Sequence, residues 1–238
     1  MEKNEFKNII EKYDKIVFFG GAGVSTESNI PDFRGTGGLT SLQLDYSFEE
    51  ILSNDFLYNN TKLFYDFYKK YMIYPYALPN SAHKKLSELE KQGKLISVIT
   101  QNIDGLHQKA GSKCVHELHG SVYRNYCTEC KKSFDLDYIF DQKDIPYCDI
   151  CGSLVRPDVV LYGEALNNNV IEASINDIQK SKVLIVGGTS LNVYPAAGLL
   201  RYFNGDRLIL INKESTEYDR YADLIIREPI GKFFSETI

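Results

Sequence analysis

The sequence predicts an α/β fold, a parallel sheet covered by helices on both faces. Six short apolar runs read as strands: Ile16 to Phe19, Leu95 to Thr100, Val159 to Tyr162, Val183 to Val186, Leu208 to Ile211 and Leu224 to Ile226. Most are separated by segments with apolar residues at helical spacing, the rhythm of a parallel sheet with crossover helices. Several end in small or hydrogen-bonding residues: Gly20-Gly21, Gln101-Asn102, Gly188-Thr189-Ser190 and Asn212. Ligands of open α/β sheets bind beyond the carboxyl ends of the strands, so polar ends on several strands describe a nucleotide crevice.

Taken in order, Phe6, Ile9, Ile10 and Tyr13 share one face of a first helix. The first strand runs into Gly20-Gly21-Ala22-Gly23-Val24-Ser25-Thr26. Glycines at a strand-to-helix turn let the backbone approach a phosphate. Gly21-x-Gly23 is only part of a dinucleotide fingerprint, because Thr26 stands where the third glycine belongs; a tight turn explains the glycines equally well. In Asn29-Ile30-Pro31-Asp32-Phe33-Arg34-Gly35, Arg34 suits a phosphate or carboxylate and Phe33 a planar ring. The alternative is an ordinary loop with one buried phenylalanine. Ser47 to Met72 is helical, opened by the capping box Ser47-Phe48-Glu49-Glu50. Its stripe of Leu63, Phe64, Phe67, Tyr68 and Tyr71 reads as core or groove wall. Pro75 and Pro79 break the chain, and Ser81 to Gly93 forms the next helix, with Ala82, Leu86 and Leu89 inward and His83 structural. Beyond Val159 to Tyr162, helices are expected around Ile171, Ile175 and Ile178, over Pro195 to Phe203, and at the C-terminus.

The stretch Thr100 to Gly120 carries the densest chemistry. Where the second strand ends, Gln101, Asn102 and Asp104 follow within four positions, and His119-Gly120 closes the segment. Histidine is the side chain best suited to exchange a proton near neutral pH. Turn formation explains the Asn and Asp as well. His116-Glu117-Leu118-His119 falls one residue short of H-E-x-x-H, so a zinc-protease site is excluded.

Cys127-Thr128-Glu129-Cys130 and Cys148-Asp149-Ile150-Cys151 are two C-x2-C knuckles. Their spacing is that of a four-thiolate zinc ribbon, a closed and therefore structural site. Two disulfides are the alternative, disfavoured in a reducing compartment. Cys114, the fifth cysteine, is expected to be a small buried apolar residue.

The net charge of −5 argues against a general grip on nucleic acid. MEKNEFKNII has no apolar core of a secretory signal, and no run is long enough to span a membrane, so a cytoplasmic location is expected.

Assembled, these residues resemble the sirtuins, the NAD-dependent protein-lysine deacylases, nearly end to end. The resemblance rests on G-A-G-V-S at 21–25, I-P-D-F-R at 30–34, T-Q-N-I-D at 100–104, H-G at 119–120, the paired knuckles, Gly163-Glu164, Gly188-Thr189-Ser190 and Asn212. It implies a discontinuous Rossmann-like NAD-binding domain over 1–39, 93–120 and 157–238. A smaller lobe would combine a helical module, 40–92, with the zinc-ribbon module, 121–156. Gly21, Ala22, Thr26, Asp32, Phe33, Arg34, Gln101, Asn102, Ile103, Asp104, His119, Gly188, Thr189, Ser190 and Asn212 would line the NAD site. Asp104 and the Ile103 backbone would hold the nicotinamide carboxamide. Val159, Val160, Tyr162, Gly163 and Glu164 would bind the substrate peptide as a β-strand. His119 would act as general base on a ribose hydroxyl and Asn102 would position the ribose and a water. The products would be free lysine, nicotinamide and O-acyl-ADP-ribose, with nicotinamide also an inhibitor.

In the family branch that removes acidic acyl groups a Tyr-x-x-Arg pair holds the acyl carboxylate; here Tyr65 and Tyr68 stand at those positions, with no arginine. Acetyl or longer apolar acyl groups are therefore expected. Protein ADP-ribosyl transfer or NAD hydrolysis at the same site is the alternative activity, and a non-enzymatic zinc-ribbon binding module the alternative outside catalysis.

Overall fold

The computed structural model describes residues 2–33, 38 and 45–237. Among these, six parallel strands form the large sheet in the order β3-β2-β1-β7-β8-β9. They are β1 (Ile16–Gly20), β2 (Leu95–Thr100), β3 (Val115–Glu117), β7 (Val183–Gly187), β8 (Arg207–Ile211) and β9 (Leu224–Ile226). β1 and β7 are wholly buried, as strands covered on both faces must be. The chain leaves β1 towards β2 on one side and returns to β7 on the other. That reversal opens a crevice at the carboxyl ends of the two strands.

One face is covered by α1 (Glu2–Lys12), α5 (Ser81–Lys91) and α9 (Ile230–Thr237), whose Phe6, Leu86, Phe233 and Phe234 pack on Ile16, Phe18 and Ile185. The other face carries α8 (Asn168–Lys180) and the 3-10 helix Ala196–Tyr202, through Ile178, Leu199 and Leu200. The helical segment 48–71 is three short helices, α2 (Phe48–Ile51), α3 (Asn54–Asn59) and α4 (Thr61–Tyr71). Ser47 and Ser53 accept from Glu50 N and Phe56 N at 3.1 Å each and start the first two. Of the stripe on α4, Phe64, Phe67 and Tyr68 are core, buried with Tyr65, Phe134, Val155 and Leu161, and Tyr71 packs against them, whereas Leu63 is exposed. No described helix is long and apolar enough to cross a membrane.

The small lobe has its own antiparallel sheet, β5-β4-β6, made of β4 (Gly120–Cys127), β5 (Ser133–Phe134) and β6 (Val155–Val159), with α7 (Leu136–Asp141) against it. This corrects one strand assignment. Val159 to Tyr162 is not a strand of the large sheet; the strand lies earlier, over Val155–Val159, and pairs with β4. Pro157, which has no N–H to give, sits opposite Asn125 where the ladder is irregular. The sixth parallel strand is instead β3, inside the stretch Thr100 to Gly120. α5 packs in the core of the large sheet through Ala82, Leu86 and Leu89, and β6 spans position 156/157 in its pairing with β4.

Four cysteines gather at one end of the small sheet. Their sulfurs all lie within 4.8 Å of one another, with Cys127–Cys151 at 3.4 Å and Cys130–Cys148 at 3.6 Å. Zinc–thiolate bonds of about 2.3 Å put tetrahedral sulfurs roughly 3.8 Å apart, so the cluster fits one Zn2+ with no open position. The residue after each knuckle, Lys131 (φ 61°) and Gly152 (φ 72°), is left-handed, which turns the chain back around the cluster.

Candidate active site

The large cleft, about 1100 Å³, lies where the strand ends of the parallel sheet meet the small lobe. Two glycines let its floor close. A Cβ on Gly23 would stand 2.8 Å from Gly188 Cα, and one on Gly188 (φ +59°) would stand 2.4 Å from Val24 N. The turns after β1 and β7 therefore touch backbone to backbone, joined by Gly23 N to Gly188 O at 2.8 Å. Asn212, at the end of β8, braces the second turn with both ends of its amide. Its Oδ1 accepts from Thr189 N and its Nδ2 donates to Thr189 O, each at 3.0 Å. Thr189 Oγ1 in turn accepts from Gln101 Nε2 at 3.1 Å.

The β2 end is knotted more tightly. Asn102 N donates to Thr100 Oγ1 at 3.0 Å, and its side-chain Nδ2 to Ser25 Oγ, also at 3.0 Å. Ser25 Oγ donates onward to Asp104 at 2.6 Å, while Leu106 N donates to the other carboxylate oxygen at 2.9 Å. Burial pushes the Asp104 carboxyl up from its ordinary range; the Ser25 and Leu106 bonds oppose that rise. His119 Nδ1 lies 3.0 Å from Gln101 O. A carbonyl oxygen only accepts, so Nδ1 carries the proton and Nε2 the lone pair. Burial holds the ring below the usual imidazole range, in its neutral form, against the carbonyl's pull the other way.

The segment after β6 forms the opposite wall. Val160 N donates to His119 O at 3.0 Å, and Tyr162 is bridged to the helical segment, its N donating to Leu52 O and its O accepting from Asn54 N, both at 2.9 Å. Glu164 folds back beneath. It receives Arg156 Nη1 at 2.6 Å, Nη2 at 3.0 Å and Leu161 N at 2.9 Å. Burial and this forked ion pair act in opposite directions on Glu164, and the guanidinium keeps its carboxyl low.

Of the residues singled out in the sequence, Gly21, Ala22, Thr26, Asp32, Phe33, Gln101, Asn102, Ile103, Asp104, His119, Gly188, Thr189, Ser190 and Asn212 line this one cleft. Val159, Val160, Tyr162, Gly163 and Glu164 line it too. Arg34 lies outside the described residues. Tyr68 and the apolar Phe48, Leu52 and Met72 extend the lining into the small lobe. The model of the Sir2 family matches residues 21–195.

The chain belongs to the Sir2 family.

Its similarity to known Sir2 proteins is close to full length. It is 56% identical over 238 residues to an NAD-dependent protein deacetylase of Clostridium acetobutylicum, covering 99% of this chain and 97% of that protein. The match to the NAD-dependent protein deacetylase of Clostridium tetani is 57% over 239 residues, with the same coverage. A solved complex of Sir2 with p53 peptide and NAD+ superposes with a TM-score of 0.87 at 38% identity, covering 99% of this chain and 97% of that one. Sir2Tm bound to a propionylated peptide gives 0.86 at 36%, with equal coverage.

Ser25 and Arg156 organise this Sir2 site although the sequence reading gave neither a role. Ser25 stood in the quoted G-A-G-V-S run, and Arg156 beside Pro157, but a partner 79 positions away from Ser25 has no local signature. Glu164 lines the cleft and is engaged there with Arg156 and Leu161 N.

Proposed function

We propose that this chain removes acetyl groups from protein lysines, consuming NAD and releasing nicotinamide and O-acetyl-ADP-ribose. The observation that carries the reading is one cleft that combines the Gly23–Gly188 cradle, the Asn102–Ser25–Asp104 knot and a neutral His119. The cradle brings the turns after β1 and β7 together at the strand ends, where an open α/β sheet takes a nucleotide. NAD, when bound, supplies a ribose carbon that turns electrophilic as nicotinamide departs.

The remaining chemistry belongs to the protein. His119 Nε2 takes a proton from a ribose hydroxyl, a role that requires the neutral ring. Its Nδ1 bond to Gln101 O fixes both tautomer and ring plane, so the lone pair needs no reorientation. Asp104 faces the nicotinamide carboxamide, with Ser25 holding its carboxyl in place. Asn102 positions the ribose and a water. The acyl-lysine peptide lies along 159–163, with its acyl group among Phe48, Leu52, Met72 and Tyr68. In this reading the large-sheet domain binds NAD and the small lobe supports the peptide wall. Released nicotinamide re-enters its own pocket and inhibits.

The test is mass spectrometry of the purified protein with NAD and an acetyl-lysine peptide, beside His119→Ala. Free lysine peptide and O-acetyl-ADP-ribose from the wild type alone are expected, with NAD binding retained by the variant. Nicotinamide without O-acetyl-ADP-ribose would replace this reading with ADP-ribosyl transfer or NAD hydrolysis.

A further inference from the structure

The outer edge of the large sheet carries a cluster that the cleft does not use. Strand alternation puts Cys114, His116 and Leu118 on one face of the β3 segment. That face is turned to α8: Leu118 is buried in the same cluster as Ile178, whereas Val115 packs into the opposite core. Asp177, next to Ile178 on α8, meets the pair, with Oδ2 2.8 Å from His116 Nε2. Thiol, imidazole and carboxylate donors all lie within 4.8 Å of one another, each on a half-buried residue. Cys114 is thus not the buried apolar filler expected from the sequence. A second carboxylate fixes the backbone here: Glu90 accepts from Cys114 N at 2.8 Å and from Lys113 N at 2.9 Å. None of these residues lines the cleft.

We propose that Cys114, His116 and Asp177 form a second metal site, for a divalent transition ion such as Zn2+ or Co2+. One sulfur, one imidazole nitrogen and one carboxylate oxygen suit these borderline ions and not Mg2+ or Ca2+, which prefer oxygen alone. Two donors come from one strand at i and i+2 and the third from the helix packed over it, so the ion joins β3 to α8. Around zinc the imidazole nitrogen and carboxylate oxygen stand roughly 3.3 Å apart. The pair need only spread by about 0.5 Å to admit the ion. Binding displaces the thiol proton to solvent, so uptake rises with pH, and the neutral imidazole carries its proton on Nδ1 when Nε2 meets the ion. Three protein donors leave a fourth position for water, unlike the closed four-cysteine cluster.

The site stands apart from the proposed deacetylation and is tested without it. The zinc-loaded full chain is dialysed against Co2+, and both metals are counted per chain by mass spectrometry, with the near-ultraviolet spectrum recorded. The expected result is one retained zinc plus one cobalt, with a thiolate-to-cobalt charge-transfer band. Cys114→Ser and Asp177→Asn should lose the cobalt and keep the zinc, whose retention reports an intact fold. The proposal is overturned if the wild type takes up no cobalt beyond exchange into the ribbon. Cobalt uptake by Cys114→Ser equal to wild type, or a spectrum without the thiolate band, overturns it as well.

Discussion

Ser25 and Asp104 are joined by a 2.6 Å hydrogen bond that links the turn after β1 to the turn after β2, and the same hydroxyl accepts from Asn102. One serine thereby sets the position of two polar groups that face the cleft. Ser25→Ala removes a hydrogen bond to an ionisable carboxyl, a loss of about 1.5–3 kcal/mol where the geometry matters. We expect NAD affinity to fall by about tenfold to a hundredfold. Calorimetric titration with NAD checks this; unchanged affinity would show that the knot has no part in binding.

Arg156 and Glu164 brace the 159–163 wall of the cleft, and Arg156 is only 7% exposed. Glu164→Ala strands the guanidinium, at a cost of about 3 kcal/mol. Glu164→Gln, which keeps one acceptor, should lose less. Because the pair shapes 159–163, the KM for acetyl peptide should rise more than the KM for NAD in both variants. A larger change on the NAD side would place the pair's effect elsewhere.

The acyl end of the cleft offers no cation among the described residues that line it beside Tyr68. Tyr65 donates to Val155 O, and Lys69 Nζ is drawn away to Gln142 O at 2.7 Å and Asp144 O at 2.8 Å. Tyr68 lines the cleft, and its buried hydroxyl has no partner. A succinyl carboxylate would have to enter this apolar end uncompensated. The expected kcat/KM for a succinyl peptide is about tenfold or more below that of its acetyl twin. A faster succinyl reaction would overturn this, and a Lys69→Ala variant that selectively lost succinyl turnover would identify the missed cation.

Stability should weaken on mild acidification through two histidines beneath the sheet. His83 accepts from Asn80 N through Nδ1, its Nε2 has no partner, and neither ring nitrogen of fully buried His107 has one; the rings lie 4.7 Å apart. Burial lowers His83 from 6.5 to about 4 and pushes His107 well below its ordinary value. The unfolded chain therefore binds protons first as pH falls below 6.5, and the stability held above that pH is lost towards 4. Urea unfolding at pH 7 and 4.5 should differ by about 2–3 kcal/mol from His83 alone. His107→Gln should reduce the total difference, and an identical difference would assign it to other groups.

Much of this arrangement is legible in the residues, for identifiable reasons. Five of the parallel strands announce themselves because burial on both faces demands continuous apolar runs such as Ile16–Gly20 and Val183–Gly187. β3 does not, since an edge strand of three half-buried residues containing His116 and Glu117 carries no such pattern. Val159 to Tyr162 misleads for the converse reason. Val159 and Leu161 are apolar because they enter the small-lobe core. The cysteine spacing is readable because both knuckles are local. Ser25 and Arg156 act through partners that only the folded chain brings near, so no local pattern marks their roles.

The bridge between Tyr162 and the Leu52–Asn54 corner has a temporal consequence. During synthesis the corner emerges long before its partner, and the wall cannot form until both of these small-lobe segments have been made and packed together. Loop closure over so distant a pair has its entropy to overcome before any contact rewards it, which puts such contacts late in folding. Completion of this wall of the cleft is expected late in folding, and its opening early under denaturant. Catalysis should fade while the helical signal is still intact, making turnover an early gauge of damage to a molecule that spectroscopy still records as folded.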